Sequence, residues 1–505
     1  MKLRHLGVGL AIALVVSAVG AVAGPAWRPR PVVEALTSET PDTAIGSGVV
    51  TVPVGTYEVR SELHTVQLTE TVSVTAEVRR PVGVREPLPA VVFMHGAGTA
   101  THKGFELQAE LLASAGVVTV VPDKRMDTYT TAKRDYHGMA RDYQKTVDLT
   151  RTLPGVDPER VGLYAESEGA YIAPIMSADD PATAFVVLVA APIVPPRQQG
   201  AFATDSYLRD VRVPAPLYRV IPRALGAVIP GGRLAYADFD PQPYQQRTTQ
   251  PVLLVFGTGD AAMPIVQGAR QLISDLAVAG NDQYTVRFYE GANHGIKIGD
   301  ELAPHFADDL ARWIQGLPET ATASPRIAGD QPVQRYEADP VAAPHWYANG
   351  NNIVWSFVVP VGLLLAGPVA YGLSAIARRL RRRPRLPRTM APGVGRWLAA
   401  SAFAVVGTWV VFVAYLRQVA DYAFNYRTNP AFTFGVYGVE WTLALATAFL
   451  LAGTVIRVSQ QRRTGAVLSV PAAITTGGTV TGVFILLVLA AYWSGFPDAF
   501  GGFGS

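Results

Sequence analysis

The sequence predicts an α/β domain built on a doubly wound, mostly parallel sheet, followed by an all-α transmembrane region of four helices. Three observations predict it. From about residue 89 to 316, short apolar runs alternate with helix-length segments, the pattern of a parallel sheet covered on both faces. Beyond residue 350 come four long apolar segments, Ile353–Ile376, Trp397–Leu416, Gly435–Ile456 and Ala466–Trp493, each able to cross about 30 Å of hydrocarbon at roughly 1.5 Å per residue. Composition agrees: 16% of the 505 residues are charged, against about 25% in ordinary soluble proteins. Hydrophobic residues make up 49%, and mean hydropathy is +0.20.

At about 150 residues per domain the chain has room for about three units. It contains no cysteine, which excludes disulfides, cysteine-based metal sites and thiolate nucleophiles while leaving an extracellular location open. Basic and acidic residues number 43 and 40, a net charge of +3. So even a balance gives no basic face for nucleic acid, and no nucleic-acid partner is expected.

At the N-terminus Lys2 and Arg4 precede the charge-free run Leu6–Ala23, an export segment. Residues 1–24 read as a signal peptide or an N-terminal membrane anchor; Ala21-Val22-Ala23 fits a small-x-small cleavage site and favours cleavage over retention. Residues 45–318 form the α/β domain. Its first strands, 57–68 and 71–81, are rich in β-branched residues and read as antiparallel. Buried parallel strands follow at 89–98, running into a loop, and at 117–123, 161–167, 184–192, 251–260 and 284–290, with helices at 105–115, about 134–152, 264–279 and about 301–316. Residues 193–250, rich in Pro and Tyr, break the rhythm and read as a lid insertion over the strand ends. Residues 319–350, aperiodic and rich in Pro and Ala, read as a linker.

The four spans occupy 351–495. Arg-rich loops at 377–388 and 457–463 alternate with a poorly charged connection at 417–434. Short Arg-rich loops stay in the cytoplasm, so everything before the first span is expected on the extracytoplasmic side of the cell membrane, in agreement with the export segment. Trp346, Tyr347, Trp355, Trp397, Trp441, Tyr492 and Trp493 fall near span ends, where amphipathic rings prefer the headgroup region. Glu440 sits near the outer end of the third span, and an ionisable group at that depth is a functional hypothesis. Gly477-Gly478 and the Thr residues beside them permit close helix contact. The spans read as an anchor or an oligomerisation unit.

In doubly wound sheets reactive groups gather at the carboxyl ends of the strands, and three residues stand there. Ser167 follows the strand VGLYAE, with Ala165 before it and Gly169 after it, as a tight strand-to-helix turn requires. Asp260 ends the strand PVLLVFGTGD, where it also fits as a cap before Pro264. His294 lies in the loop EGANHG after the strand YTVRFYE. Taken singly each has an ordinary structural reading: a turn, a cap, a loop histidine.

Together, HGAG (95–98), PDKR (122–125), DPERVGLYAESEGAYIAP (157–174), VFGTGDAAMP (255–264) and EGANHG (290–295) resemble the α/β-hydrolase superfamily, particularly its dienelactone-hydrolase and prolyl-oligopeptidase-like branch. The resemblance runs from about Ala90 to Trp313 and leaves out the four spans. It departs from the usual pattern in having Ala165 where Gly is common. It implies Ser167 as nucleophile, His294 as general base and then acid, and Asp260 as the group that orients the imidazole. An oxyanion hole would come from the backbone N–H of Glu168 and of Gly96 or Ala97.

His95 is expected to shape the loop beside that hole, and Asp123 with Lys124-Arg125 to form a structural ion pair or loop anchor. Glu166 and Glu168 flank the nucleophile and are both expected to raise the pKa of His294. No ligand spacing for a metal and no Gly-rich phosphate loop is present, so no metal or cofactor is expected. The expected activity is a membrane-anchored serine hydrolase acting on an ester, thioester or amide, with a small-molecule or lipid-like acyl substrate. A peptidase or an acyltransferase uses the same triad, and a non-catalytic scaffold in a membrane assembly is the reading from another class.

Overall fold

The computed structural model describes residues 2–98, 100–345, 348–381, 390–425, 427–463 and 468–498. The chain folds as two units, one of residues 29–203 and 231–340, the other of residues 1–28, 204–230 and 341–505.

The first unit contains strands β1 (Val59–Gln67), β2 (Ser73–Pro81), β3 (Leu88–Met94), β4 (Val118–Pro122), β5 (Val156–Glu166), β6 (Val186–Val189), β7 (Val252–Gly257), β8 (Tyr284–Tyr289), the two-residue pair β9 (Lys297–Ile298) and β10 (Glu301–Leu302), and β11 (Ile327–Gly329). Nine of them form one sheet in the order β1-β2-β4-β3-β5-β6-β7-β8-β11. β1 and β2 run antiparallel to their neighbours, and from β4 onward every pairing is parallel. The strand sequences explain this arrangement. β3, β4, β6 and β7 are apolar at nearly every position and buried along their length, whereas β1 alternates and leaves one face exposed.

The helices of this unit include α2 (Glu106–Ser114), α3 (Tyr136–Arg151), α4 (Gly169–Asp179), α7 (Gln242–Gln245), α8 (Ile265–Val278) and α9 (Phe306–Gln315). The step from β3 to β4 runs opposite to the step from β4 to β5, so right-handed crossovers send α2 and α3 to opposite faces. α2 packs with α9, and α3 with α4. The core between sheet and helices includes Phe93, Tyr164, Phe185, Phe256, Phe288 and the fully buried Trp313, whose indole N–H reaches Thr285 Oγ1 at 3.1 Å.

Two stretches expected outside the domain belong to it. Residues 319–340 do not behave as a linker: β11 adds in parallel to β8, and Gln334 Oε1 accepts from the N–H groups of Val266 and Gln267. Residues 29–44 join them, with the Arg30 guanidinium on Asp339 and the Glu39 carboxylate on the N–H of Ile327. The insertion 193–250 is divided too. Residues 193–203 and 231–250 stay with the sheet, and residues 204–230 belong to the other unit.

That second unit is helical. It holds α1 (Lys2–Val22), the C-terminal half of α5 (Pro196–Asp210), α6 (Val220–Leu225), α10 (Gly350–Leu380), α11 (Pro392–Phe424), α12 (Pro430–Arg463) and α13 (Val470–Tyr492). Five of these helices, α1 and α10 to α13, are long and apolar enough to cross a membrane. The bundle is therefore one helix larger than the four spans expected: Ala13 and Val16 of α1 are buried among Val405, Ala444, Ala448, Leu451 and Leu487. Small residues let backbones meet, as in membrane packing generally. A Cβ at Gly20 would fall 2.8 Å from the Ala491 backbone, and Gly478 meets the Leu363 carbonyl while Gly477 faces open space. Residues 204–230 contribute Val211, Val213 and Leu217 to a cluster with Phe412, Tyr415 and Tyr437. Arg223, fully buried, donates to the carbonyls of Tyr492 and Gly24. Of the expected interfacial aromatics, Trp346 and Tyr347 lie outside the described residues, as does most of the Arg-rich loop, residues 382–388.

Candidate active site

Three strand ends build the site. β5 closes on Glu166, and the next residue, Ser167, takes φ +55°, a left-handed conformation that is strained for any residue but glycine. Neighbours hold it there: Ser167 N–H donates to Val189 O at 2.9 Å, and Ala170 N–H to Ser167 O at 3.0 Å. The flanks must be small. A Cβ on Gly169 would lie 2.7 Å from Met94 O, and one on Gly96 would lie 3.2 Å from the Ser167 Cβ. Ala165 is fully buried between strands, so the methyl found where glycine is usual fits without displacement.

Past β7 and β8 the loops bring Asp260 and His294 together, with His294 Nδ1 2.8 Å from Asp260 Oδ2. The Asp260 side chain is completely buried while the His294 ring is one-third exposed, so the pair presents one ring edge outward. Asp260 Oδ1 accepts from Ala262 N–H at 2.8 Å, which fixes the carboxylate plane. No hydrogen bond joins Ser167 Oγ to His294 among the described residues.

The three N–H groups expected to face an oxyanion, those of Gly96, Ala97 and Glu168, have no acceptor among the described residues. Their neighbours are occupied: Tyr143 OH takes the N–H of His95 and Tyr129 OH that of Gly98. Unsatisfied donors collected beside a nucleophile are what an oxyanion requires. The loop carrying two of them is anchored from below by Lys124, whose Nζ donates to Gly96 O at 2.8 Å and to Glu168 Oε2 at 2.7 Å. Lys124 is thus the loop anchor, and Asp123 turns away to His102 Nδ1 at 2.8 Å. His95 Nε2–H donates to Pro122 O at 2.8 Å, and the ring stacks on Phe105. Burial pushes its pKa down to about 4, so it shapes the loop as a neutral ring.

The expectation for the two glutamates holds for one of them. Burial acts to lower the His294 pKa, but the hydrogen bond and charge of Asp260 and the charge of Glu166 outweigh it, and the net shift is upward. Glu166 is itself pushed up to about 7, chiefly by burial. Glu168 plays no part in that balance. Its carboxylate is buried between Lys124, Tyr129 OH at 2.9 Å and Arg134 Nη1 at 2.6 Å, and two cations cancel its field at the imidazole. Tyr129, Arg134 and Tyr143 are the supporting residues that sequence reasoning missed; they lie in a loop and on α3 with no local pattern to single them out. No group of three or more His, Asp or Glu suited to a metal exists among the described residues.

A parallel sheet with antiparallel leading strands, a strained serine after β5 and a His–Asp pair after β7 and β8 give the domain the architecture of an α/β-hydrolase fold. Residues 103–317 match the model of the prolyl oligopeptidase family. Solved structures with similarity include dipeptidyl peptidase 4 of Porphyromonas gingivalis (15% identity, 50% of this chain and 35% of that one, TM-score 0.36). Esterase 2 of Thermogutta terrifontis (18%, 52% and 96%, TM-score 0.38) and the dienelactone hydrolase of Anabaena variabilis (17%, 50% and 94%, TM-score 0.34) are others. The chain thus spans about a third of the dipeptidyl peptidase and nearly all of the two smaller enzymes. No curated protein matches it.

Proposed function

We propose that the protein is a membrane-anchored hydrolase that cleaves a carboxylic ester, thioester or amide through an acyl-enzyme on Ser167. The His294–Asp260 hydrogen bond at 2.8 Å, set beside a serine at φ +55°, carries the reading. Ser167 Oγ attacks the carbonyl carbon while His294 Nε2 takes its proton, and Asp260 stabilises the imidazolium. The N–H groups of Gly96 or Ala97 and of Glu168 hold the oxyanion. His294 returns the proton to the departing alcohol, thiol or amine. Water then adds to the acyl-enzyme with His294 as base, releasing a carboxylic acid and Ser167.

The arginines at 378–388 and 457–463 support an extracytoplasmic hydrolase domain by the distribution of positive charge. Burial of Ala13 and Val16 in the bundle supports retention of residues 1–24 as a fifth spanning helix rather than their cleavage. The family match favours a peptidase among the possible substrates. A fluorophosphonate probe applied to detergent-solubilised protein tests the reading: wild type becomes labelled and Ser167→Ala does not. An unlabelled, folded wild type would remove it. Acyl esters of rising chain length, run beside peptide amides, then separate esterase from peptidase.

A further inference from the structure

The helical unit contains a polar seam that anchoring does not require. Ser401 and Thr454 meet at 2.9 Å between α11 and α12, and Thr408 and Thr447 meet at 3.3 Å. From one pair to the next the register advances seven residues along α11 and retreats seven along α12, as antiparallel helices with a heptad-spaced seam must. The same step taken once more sets Tyr415 opposite Glu440. All six side chains are buried, Glu440 completely so.

The first two rungs close on themselves. Each threonine hydroxyl also bonds a carbonyl one turn back, on its own helix: Thr408 to Ala404, Thr447 to Leu443, Thr454 to Leu450. The third rung does not close. Neither carboxyl oxygen of Glu440 has a hydrogen-bond partner among the described residues, nor has the Tyr415 hydroxyl. Tyr437, which stacks on Tyr415 with centroids 5.6 Å apart, has its hydroxyl committed to Ser494 O. The Arg219–Asp498 ion pair acts on Tyr437, and no salt bridge among the described residues includes Glu440. A hydroxyl would have sufficed for register. A carboxyl with no counter-charge adds one capacity that serine and threonine lack, a reversible change of charge.

After α13 the chain turns back at Ser494, φ +71°, and Gly495 N–H bonds Ala490 O. This places Gly495 directly over the carboxyl, where an added Cβ would stand 3.3 Å from Glu440 Oε1 and 3.2 Å from the Phe412 ring.

We propose that Glu440 is a proton-binding site of the helical unit, taking a proton from water onto one carboxyl oxygen and returning it to water. An ionised carboxylate without a partner costs far more in this interior than the neutral acid, so binding and release alter the packing of the α11–α12 seam.

Infrared pH-difference spectroscopy on the full chain in lipid vesicles tests this. Wild type should show a carboxylic-acid carbonyl band that disappears as pH is raised, and its protonated fraction should fall about tenfold per pH unit beyond the midpoint. Glu440→Gln should lack the band. Glu440→Asp, which keeps the acid and so guards against a folding defect in the amide variant, should move the band and its midpoint. Identical spectra for wild type and both variants would overturn the proposal, as would a Glu440 band that never responds to pH. Loss of the band on adding sodium at constant pH would also overturn it, showing a metal-cation site instead.

Discussion

At the residue scale the site turns on how two glutamates of like position differ in charge balance. Glu166 and Asp260 both hold the His294 pKa above its ordinary value of 6.5. A general base must be neutral, so activity is present above that raised value and is lost as pH falls through it. Glu166, pushed up to about 7, gains its own proton as pH falls and withdraws its support. The acid limb of kcat/KM should therefore be shallower than a single ionisation gives. Glu166→Gln should shift it to lower pH and restore a one-proton slope, whereas Glu168→Gln should leave its midpoint in place; a shift with Glu168→Gln alone would reverse the assignment. Lys124 supplies a different test, since its ammonium ties Gly96 O to Glu168. Lys124→Met leaves Glu168 paired with Arg134 alone and frees the oxyanion loop. Breaking a buried pair costs about 3–5 kcal/mol, and misplacing one oxyanion donor costs about 10²–10³ in kcat. Thermal unfolding should show the first effect, and slowed fluorophosphonate labelling the second.

At the scale of elements, what was legible depended on whether a residue's neighbours in sequence were also its neighbours in space. β3, β5 and β7 read as strands because each buries a continuous apolar run and β8 because four of its six residues are apolar or aromatic, and Ser167, Asp260 and His294 could be placed because each follows one of these strands. β11 carried no such signal: three residues, Ile327–Gly329, between aperiodic polar stretches. What recruits it is Arg287, whose buried guanidinium donates to the carbonyls of Thr43, Ala44, Val286, Pro325 and Arg326. Partners lying some 40 and 240 positions away leave no trace in local pattern. The same holds for Glu168, held by Tyr129 and Arg134. Arg287→Leu should destabilise the domain by about 2–4 kcal/mol, from several charged hydrogen bonds lost against better apolar packing. Proteolysis should then cut first within residues 29–45 and 319–340, and a cut elsewhere would show that Arg287 does not tie these segments down.

At the scale of the whole molecule the two units are not consecutive in the chain. The hydrolase unit is interrupted by residues 204–230, and the helical unit takes in both that segment and residues 1–28. The apolar side chains of Val211, Val213 and Leu217 are almost fully buried against Phe412, Tyr415 and Val419. Burying one such side chain stabilises by about 1.5–3 kcal/mol. Cutting the chain at a plausible linker therefore has a specific consequence. Residues 29–340 produced alone retain the sheet and all three site residues but carry an apolar segment stripped of its partners, and exposed patches of that kind drive association. This fragment should bind a hydrophobic dye and elute as oligomers. Replacing 204–230 in it by a flexible Gly/Ser bridge should give a soluble monomer that still reacts with a fluorophosphonate. A monomeric, dye-negative 29–340 fragment would mean that residues 204–230 fold back onto the hydrolase unit and depend on the helices for nothing.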